Sequence, residues 1–153
     1  MIHYLHREQV ITGSIETVWA YFSNPNNLNP ITPPDMNFEI TAGGDLKMYE
    51  GQIIEYRVEF LRGIKSLWLT EIAYVRDLQY FVDEQRVGPY HFWYHEHRFE
   101  KAGNGVKMTD HVIFIPPYGL LGDLVTSIWI RGKLEHIFDF RFQKINEIFG
   151  SAS

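Results

Sequence analysis

The spacing of apolar residues changes period along this chain, from alternation in the middle to three- and four-residue steps at the end. In 53–60 the even positions Ile54, Tyr56, Val58 and Phe60 are apolar, while Glu55, Arg57 and Glu59 alternate with them. That pattern predicts a strand with one face buried and one face in water. From Leu120 to Phe149 no proline occurs, and Leu134, Ile137, Phe138, Arg141, Ile145 and Ile148 recur at helical spacing. Leu121, Leu124, Val125 and Ile128 do the same one segment earlier. A helix of this length runs roughly 45 Å at about 1.5 Å per residue, with one side made to be buried. Pro116-Pro117-Tyr118-Gly119 marks its start, with Asp123 in the first turn, and Gly150 marks its end, with Lys144 near the last turn. Gly132, between the two apolar halves, weakens a helix by about 1 kcal/mol relative to alanine, and a bend or a shift of the buried face is expected there. A helix of this kind is expected to lie on a curved sheet.

Upstream, Tyr4 to Ile11 reads as a strand, and Ser14 is placed to cap a short helix through Ile15, Val18, Trp19 and Phe22. Asn24-Pro25-Asn26-Asn27 breaks that helix; a brief turn follows around Leu28 to Ile31, and Thr32-Pro33-Pro34-Asp35 ends it. The stretch 26–36 offers little periodic apolar surface and is expected to form part of a mobile entrance. Strand candidates then follow at 36–42, 49–61, 64–75, 78–86, 90–102 and 105–115, an antiparallel meander. In 64–74 the shared face of Lys65 and Glu71 points Trp68, Thr70 and Ile72 inward.

Length adds that 1–150 is one domain with a tail at 151–153, large enough to bury roughly 70% of its unfolded surface without staples. With no cysteine, disulfides and thiolate metal sites are excluded. The first residues lack a signal-peptide core, which makes a cytoplasmic protein the expectation. No apolar run suits a membrane span, and a net charge of −5 without a basic block argues against nucleic acid. The aromatic share of 16% fits either a thick core or an aromatic-lined cavity.

The candidate chemistry sits on the last hairpin. Asn104-Gly105 is a two-residue hairpin signal, and pairing Gly103 with Val106 sets Phe99 opposite Asp110, His97 opposite Val112 and His95 opposite Phe114. Trp93, His95, His97 and Phe99 then share the inner face with Met108, Asp110, Val112 and Phe114, and His97 becomes a diagonal neighbour of Asp110. Three readings stand. The cluster is a satisfied buried polar group, a set of polar groups orienting a mainly apolar ligand, or a catalytic or metal centre, for which a histidine-x-histidine pair is only weakly specific. The expectation is no metal and no cofactor. Arg141 interrupts the helix stripe; it either lies at the edge with its head in water, or faces the cavity and pairs with Asp110, Asp83 or an anionic ligand group.

Four segments carry a resemblance to a known superfamily: Ser14 to Trp19 with Asn24-Pro25; Leu28 to Pro34; Asp83-Glu84-Gln85 through Gly88-Pro89-Tyr90, Trp93, His95-Glu96-His97 and Phe99; and Ile137 to Arg141. With the order strand, two short helices, six-strand meander and long C-terminal helix, the chain resembles the SRPBCC helix-grip superfamily of START lipid-transfer domains, plant pathogenesis-related allergens and polyketide cyclase/dehydrase-like proteins. The details are similar to a bacterial ligand-binding branch, sometimes fused to an epimerase-like domain that has no counterpart here. The resemblance implies an α+β fold, a curved antiparallel sheet of about seven strands around the C-terminal helix, with a deep apolar cavity between them.

The leading expectation is therefore binding or carriage of a small apolar or amphipathic molecule, without nucleic-acid partners or stable membrane insertion. Trp68, Thr70, Phe81, Asp83 and Trp93 would line the site with His95, His97, Met108 and Asp110. Val112 and Phe114 would add contact area, and Phe138 and Arg141 would close it from the helix. The alternatives are a cyclase, dehydratase or hydrolase using His97 as general acid or base with Asp110, His95 being a further candidate, and an interaction module with a filled core.

Overall fold

The computed structural model describes residues 1–44, 47–117 and 119–150, apart from the side chains of Leu61 and residues 119–127. Strand β1 (His3–Thr12) leads into helix α1 (Ile15–Phe22), and Ser14 Oγ accepts from Thr17 N–H at 3.2 Å, the cap expected from sequence. Three single 3₁₀ turns follow at Pro25–Asn27, Asn29–Ile31 and Pro34–Met36. The meander is β2 (Glu39–Ala42), β3 (Ile53–Leu61), β4 (Ile64–Arg76), β5 (Tyr80–Val87), β6 (Phe92–Ala102) and β7 (Gly105–Ile115), and helix α2 (Gly119–Phe149) closes the chain. The seven strands form one antiparallel sheet in the order β1-β7-β6-β5-β4-β3-β2. Register shifts in β2–β3, β3–β4 and β4–β5 mark bulges, the devices that bend a sheet. The fold is the α+β helix grip that the sequence implied: a curved open sheet around one long helix.

Two apolar clusters fill the space between sheet and helix. One gathers Val18, Trp19 and Phe22 of α1 with Phe81, Phe99 and Ile145. The other gathers Trp93, Val112 and Phe114 with Ile130, Leu134 and Phe138. Helix α2 is tied to the free edge of β1 where Gln9 Nε2 donates to the Phe142 carbonyl and to Asn146 Oδ1, each at 3.0 Å. At its end Gly150 takes φ 84°, a left-handed value that fits a glycine stop.

Several expectations are corrected. Met36 belongs to a 3₁₀ turn and residues 49–52 precede β3. Ile128 is 67% exposed and Ile148 45%, so the buried stripe of α2 is Ile130, Leu134, Phe138, Arg141 and Ile145. Leu121, Leu124, Val125 and Asp123 lie outside the described side chains, as the tail 151–153 lies outside the described residues. Stretch 26–36 has apolar anchors that periodicity did not reveal, because Ile31, Pro33 and Met36 are buried from single turns rather than from one face of a helix. Thr32 Oγ1 also donates to the Leu28 carbonyl at 2.7 Å.

The last hairpin turns one residue earlier than expected. Gly103 has φ 59° and Ala102 pairs with Gly105, a turn with glycine in its first central position. Gly105 is a glycine for another reason: a Cβ there would lie 2.6 Å from the Ile11 carbonyl oxygen of β1. Paired residues consequently shift by two, which keeps both faces intact but sets His97 directly opposite Asp110 and His95 opposite Val112.

Helix α2 runs unbroken through Gly132, which is exposed with nothing within 4 Å of a Cβ built on it. Gly132→Ala is expected to raise stability by up to about 1 kcal/mol. Urea unfolding of the two proteins, showing a higher midpoint at unchanged slope, checks this.

Candidate functional site

Strands β5, β6 and β7 lie side by side, and each contributes to one buried group of charges. Asp83 pairs with His95, and His97 pairs with both Phe81 and Asp110. Side chains two residues apart on a strand share a face, so the two imidazoles lie side by side, ring centroids 3.7 Å apart and planes tilted by 36°, between the two carboxylates. His95 Nε2 lies 2.8 Å from Asp110 Oδ1, and His97 Nε2 2.8 Å from Asp83 Oδ2. The other two ring nitrogens complete a closed set: His95 Nδ1 is 3.4 Å from Asp83 Oδ2, and His97 Nδ1 3.0 Å from Asp110 Oδ1. That last contact is close enough for an ion pair but lies off the hydrogen-bonding direction, so His97 Nδ1 has no hydrogen-bond partner. Trp93 Nε1 donates to Asp83 Oδ1 at 3.2 Å and fixes that carboxylate from the side.

The environment separates the two histidines. For His95, burial and then the neighbouring charge of His97 disfavour the cation; Asp83 and Asp110 oppose them without prevailing, and its pKa falls below the ordinary imidazole value. For His97, burial also acts downward, but Asp110 and Asp83 outweigh it and the pKa rises. Burial favours the protonated form of both carboxylates. In Asp83 the electrostatic influence of His95 and the bond to His97 outweigh it, and in Asp110 the bond to His95 and the close approach of His97 do, so both carboxyls lie below the ordinary carboxylate value.

A cavity of about 170 Å³ adjoins this group, and an apolar cavity of about 150 Å³ already admits a benzene-sized molecule. Of the residues proposed from sequence, Trp68, Thr70, Phe81, Asp83, Trp93, His95, His97, Phe138 and Arg141 line it. Met108, Val112 and Phe114 are instead packed into the core behind the wall. Asp110 sits beneath the histidines, on a smaller pocket shared with Arg7, Gln9 and Arg141. Sequence reasoning missed wall residues from the turns, from the residue before β2 and from β3, including Leu28, Ile31, Phe38, Ile54 and Tyr56. The alternation that put Ile54 and Tyr56 on the inner face could have found them.

Arg141 corrects the edge reading. It is 8% exposed, its guanidinium carbon lies 5.1 Å from the centre of the Phe138 ring, and its Nε is buried without a hydrogen-bond partner. Among the described residues no carboxylate lies within ion-pair distance of it. A buried cation left this way is costly, and the residue lines both the cavity and the smaller pocket beside Asp110.

The motif Asp83-Glu84-Gln85 to Gly88-Pro89-Tyr90 is explained by a clamp. Gln85 Nε2 donates to the Tyr90 carbonyl at 2.7 Å, and the Tyr90 N–H donates to Gln85 Oε1 at 3.2 Å. A Cβ on Gly88 would run into the Gln85 side chain. The clamp sets the path from β5 to β6 that brings Trp93 to Asp83.

No protein family and no curated protein matches the chain by sequence. Solved structures do match over nearly its whole length. A START superfamily protein from Mycobacterium smegmatis is 14% identical, with 95% of this chain and 99% of that chain covered and a TM-score of 0.69. The Zhui aromatase/cyclase from Streptomyces sp. R1128 is 13% identical, with 95% and 92% covered and a TM-score of 0.71. The major latex-like protein 151 from Panax ginseng is 11% identical, with 97% of both chains covered and a TM-score of 0.70. These likenesses show the helix-grip fold. Among the described residues no helix is long and apolar enough to cross a membrane.

The separation of the histidines has a measurable sign. The raised pKa of His97 contributes stability that is fully present below the unfolded value of about 6.5 and is lost as pH rises through the folded value. The lowered pKa of His95 acts oppositely, its contribution being lost as pH falls through the folded value. In chelator-treated protein, wild type should therefore lose its stability advantage over His97→Gln as pH rises through the His97 midpoint. Denaturant titrations at a series of pH values, with imidazole midpoints from NMR on either side of about 6.5, check both directions.

Proposed function

We propose that the protein binds a small, mainly apolar molecule carrying an acidic or strongly polar group, with the apolar body against the aromatic wall and the polar end at Arg141 and the histidine–aspartate group. The observation that carries this reading is Arg141, a residue lining an apolar cavity that is only 8% exposed, has no carboxylate within ion-pair distance among the described residues and leaves its buried Nε without a hydrogen-bond partner. A guanidinium suits a carboxylate better than any other side chain does, because its planar fork matches two oxygens. The fold supports the reading at a coarser level, since solved structures of the same fold include a START superfamily protein and an aromatase/cyclase.

Naphthoate and naphthalenemethanol, titrated into the protein with calorimetric and tryptophan-fluorescence readout, separate the two halves of this proposal. Both should bind at one saturable site, the acid more tightly. Arg141→Met keeps the volume and removes an uncompensated buried charge, so it should fold at least as stably as wild type. It should weaken the acid by about tenfold or more, on the scale of about 1.5–3 kcal/mol for a charge-assisted hydrogen bond, and leave the alcohol nearly unchanged. Non-saturating uptake of both, or equal losses for both in Arg141→Met, would favour the filled-core module instead.

A second reading is general acid–base catalysis, favoured by His97 lining the cavity while held between two carboxylates. Its test is deuterium exchange into the methyl group of acetonaphthone in heavy water, a reaction that needs a base and no other reagent. Exchange faster than in buffer that disappears in His97→Gln supports the enzyme; exchange at the buffer rate supports a binder.

A further inference from the structure

The closed histidine–aspartate group has two sides that differ in chemistry. On one side, Asp110 Oδ1 lies 2.8 Å from His95 Nε2 and 3.0 Å from His97 Nδ1. On the other, Asp83 Oδ2 lies 3.4 Å from His95 Nδ1 and 2.8 Å from His97 Nε2. Every ring nitrogen therefore faces a carboxylate oxygen, yet a neutral imidazole has only one N–H. If both rings are neutral, two lone pairs point at carboxylates; if one is protonated, one lone pair still does; if both are protonated, two cations lie 3.7 Å apart. A cation on the Asp83 side removes the conflict. Both rings then turn their N–H toward Asp110 and their lone pairs toward the ion.

We propose that Asp83, His95 and His97 form a binding site for a divalent transition-metal ion such as zinc or iron(II), with Asp83 Oδ2, His95 Nδ1 and His97 Nε2 as ligands. One ligand atom from each of the three residues lies within 4.8 Å of the others. Ligands about 2.0–2.2 Å from a tetrahedral ion sit about 3.3–3.6 Å apart. The Asp83–His95 spacing already matches, and the Asp83–His97 spacing has to open by about half an ångström. Two histidines and one carboxylate with remaining positions open are a donor set suited to zinc or non-haem iron.

The surroundings support the assignment independently of the three ligands. Metal-bound histidines usually give their second nitrogen to a carboxylate, and metal-bound carboxylates are themselves hydrogen-bonded. Asp110 Oδ1 lies in hydrogen-bond contact with the second nitrogen of His95 and 3.0 Å from that of His97, and Trp93 Nε1 holds Asp83 through Oδ1, so that Oδ2 is the oxygen turned to the two histidines. All three ligand residues line the cavity, so an open coordination position would face it and would take an oxygen of a carboxylate or enolate. That last clause rests on the ligand reading above; the metal site itself does not.

The test titrates chelator-treated wild-type protein with zinc by calorimetry and with cobalt(II) by visible absorption, while thermal melts follow each ion. One saturable equivalent per chain and a melting temperature raised by several degrees are expected. His97→Gln and Asp83→Asn, shown to be folded by circular dichroism, should each lose about a hundredfold or more in affinity. Asp110→Asn should weaken binding by about 10–100-fold at unchanged stoichiometry. The exposed pair His6 and His111, whose rings lie 5.8 Å apart, is the control, and His6→Gln with His111→Gln should change nothing. Absence of saturable binding to folded wild type overturns the proposal. So does binding that survives both His97→Gln and Asp83→Asn, or that disappears with the His6 and His111 substitutions. Naphthoate binding is measured in the same chelated sample. If it persists while zinc fails to bind, the metal site is wrong and the cavity reading stands.

Discussion

Two carboxylates and two imidazoles buried in an apolar interior constrain this molecule more than any other set of contacts. Removing one partner of such a group costs about 3–5 kcal/mol, because the remaining charge is left without compensation. The group therefore requires β5, β6 and β7 to hold one register at once, and a slip of one residue in either pairing would turn its members to opposite faces. The Gln85 clamp on Tyr90, the glycine turn at Gly103 and the close approach of β1 at Gly105 all act on that register. Much of the local sequence of the second half of the chain is thus accounted for by the placement of four side chains.

The same constraint shapes the cavity. A sheet that curves around one helix leaves space under the curve, and here the wall is mainly aromatic and aliphatic, its charged and titratable members being Asp83, His95, His97 and Arg141 beside the tyrosines Tyr21 and Tyr56. Asp110 lies behind the histidines and acts through them. Arg141 is the member whose charge is not answered by a neighbouring carboxylate, which separates it from the surface arginines, such as Arg86 against Glu71 and Glu84. On the proposed reading, the partner of this cation comes from the cavity.

Architecture was legible in the sequence because period-two alternation and a proline-free helical stretch survive any detail of packing. The inner face of the last hairpin was legible too, since the true register differs from the expected one by two residues, and two is the side-chain period of a strand. What the pattern did not contain was the neighbour across β5. Asp83 joins the histidines through a pairing between strands whose connecting turn carries no register signal, and its link to His97 and His95 follows only from coordinates. Arg141 was misplaced for a different reason. A long amphipathic side chain on an apolar stripe ordinarily reaches water, and its neighbours Phe138 and Ile145 do not reveal that the space above it is closed. The turns at 26–36 hid their anchors because single 3₁₀ turns bury isolated residues without periodicity.

The central claim is that the charged end of the cavity is built to meet something other than the protein itself. A crystal structure of the protein as purified from cells, with anomalous data collected across the zinc and iron edges, tests it most directly. The account predicts an apolar cavity holding electron density that reaches the Arg141 guanidinium, together with an anomalous peak bounded by Asp83, His95 and His97. A collapsed cavity filled by its own side chains, with Arg141 turned out to water and the four-membered group closed on itself, would contradict it.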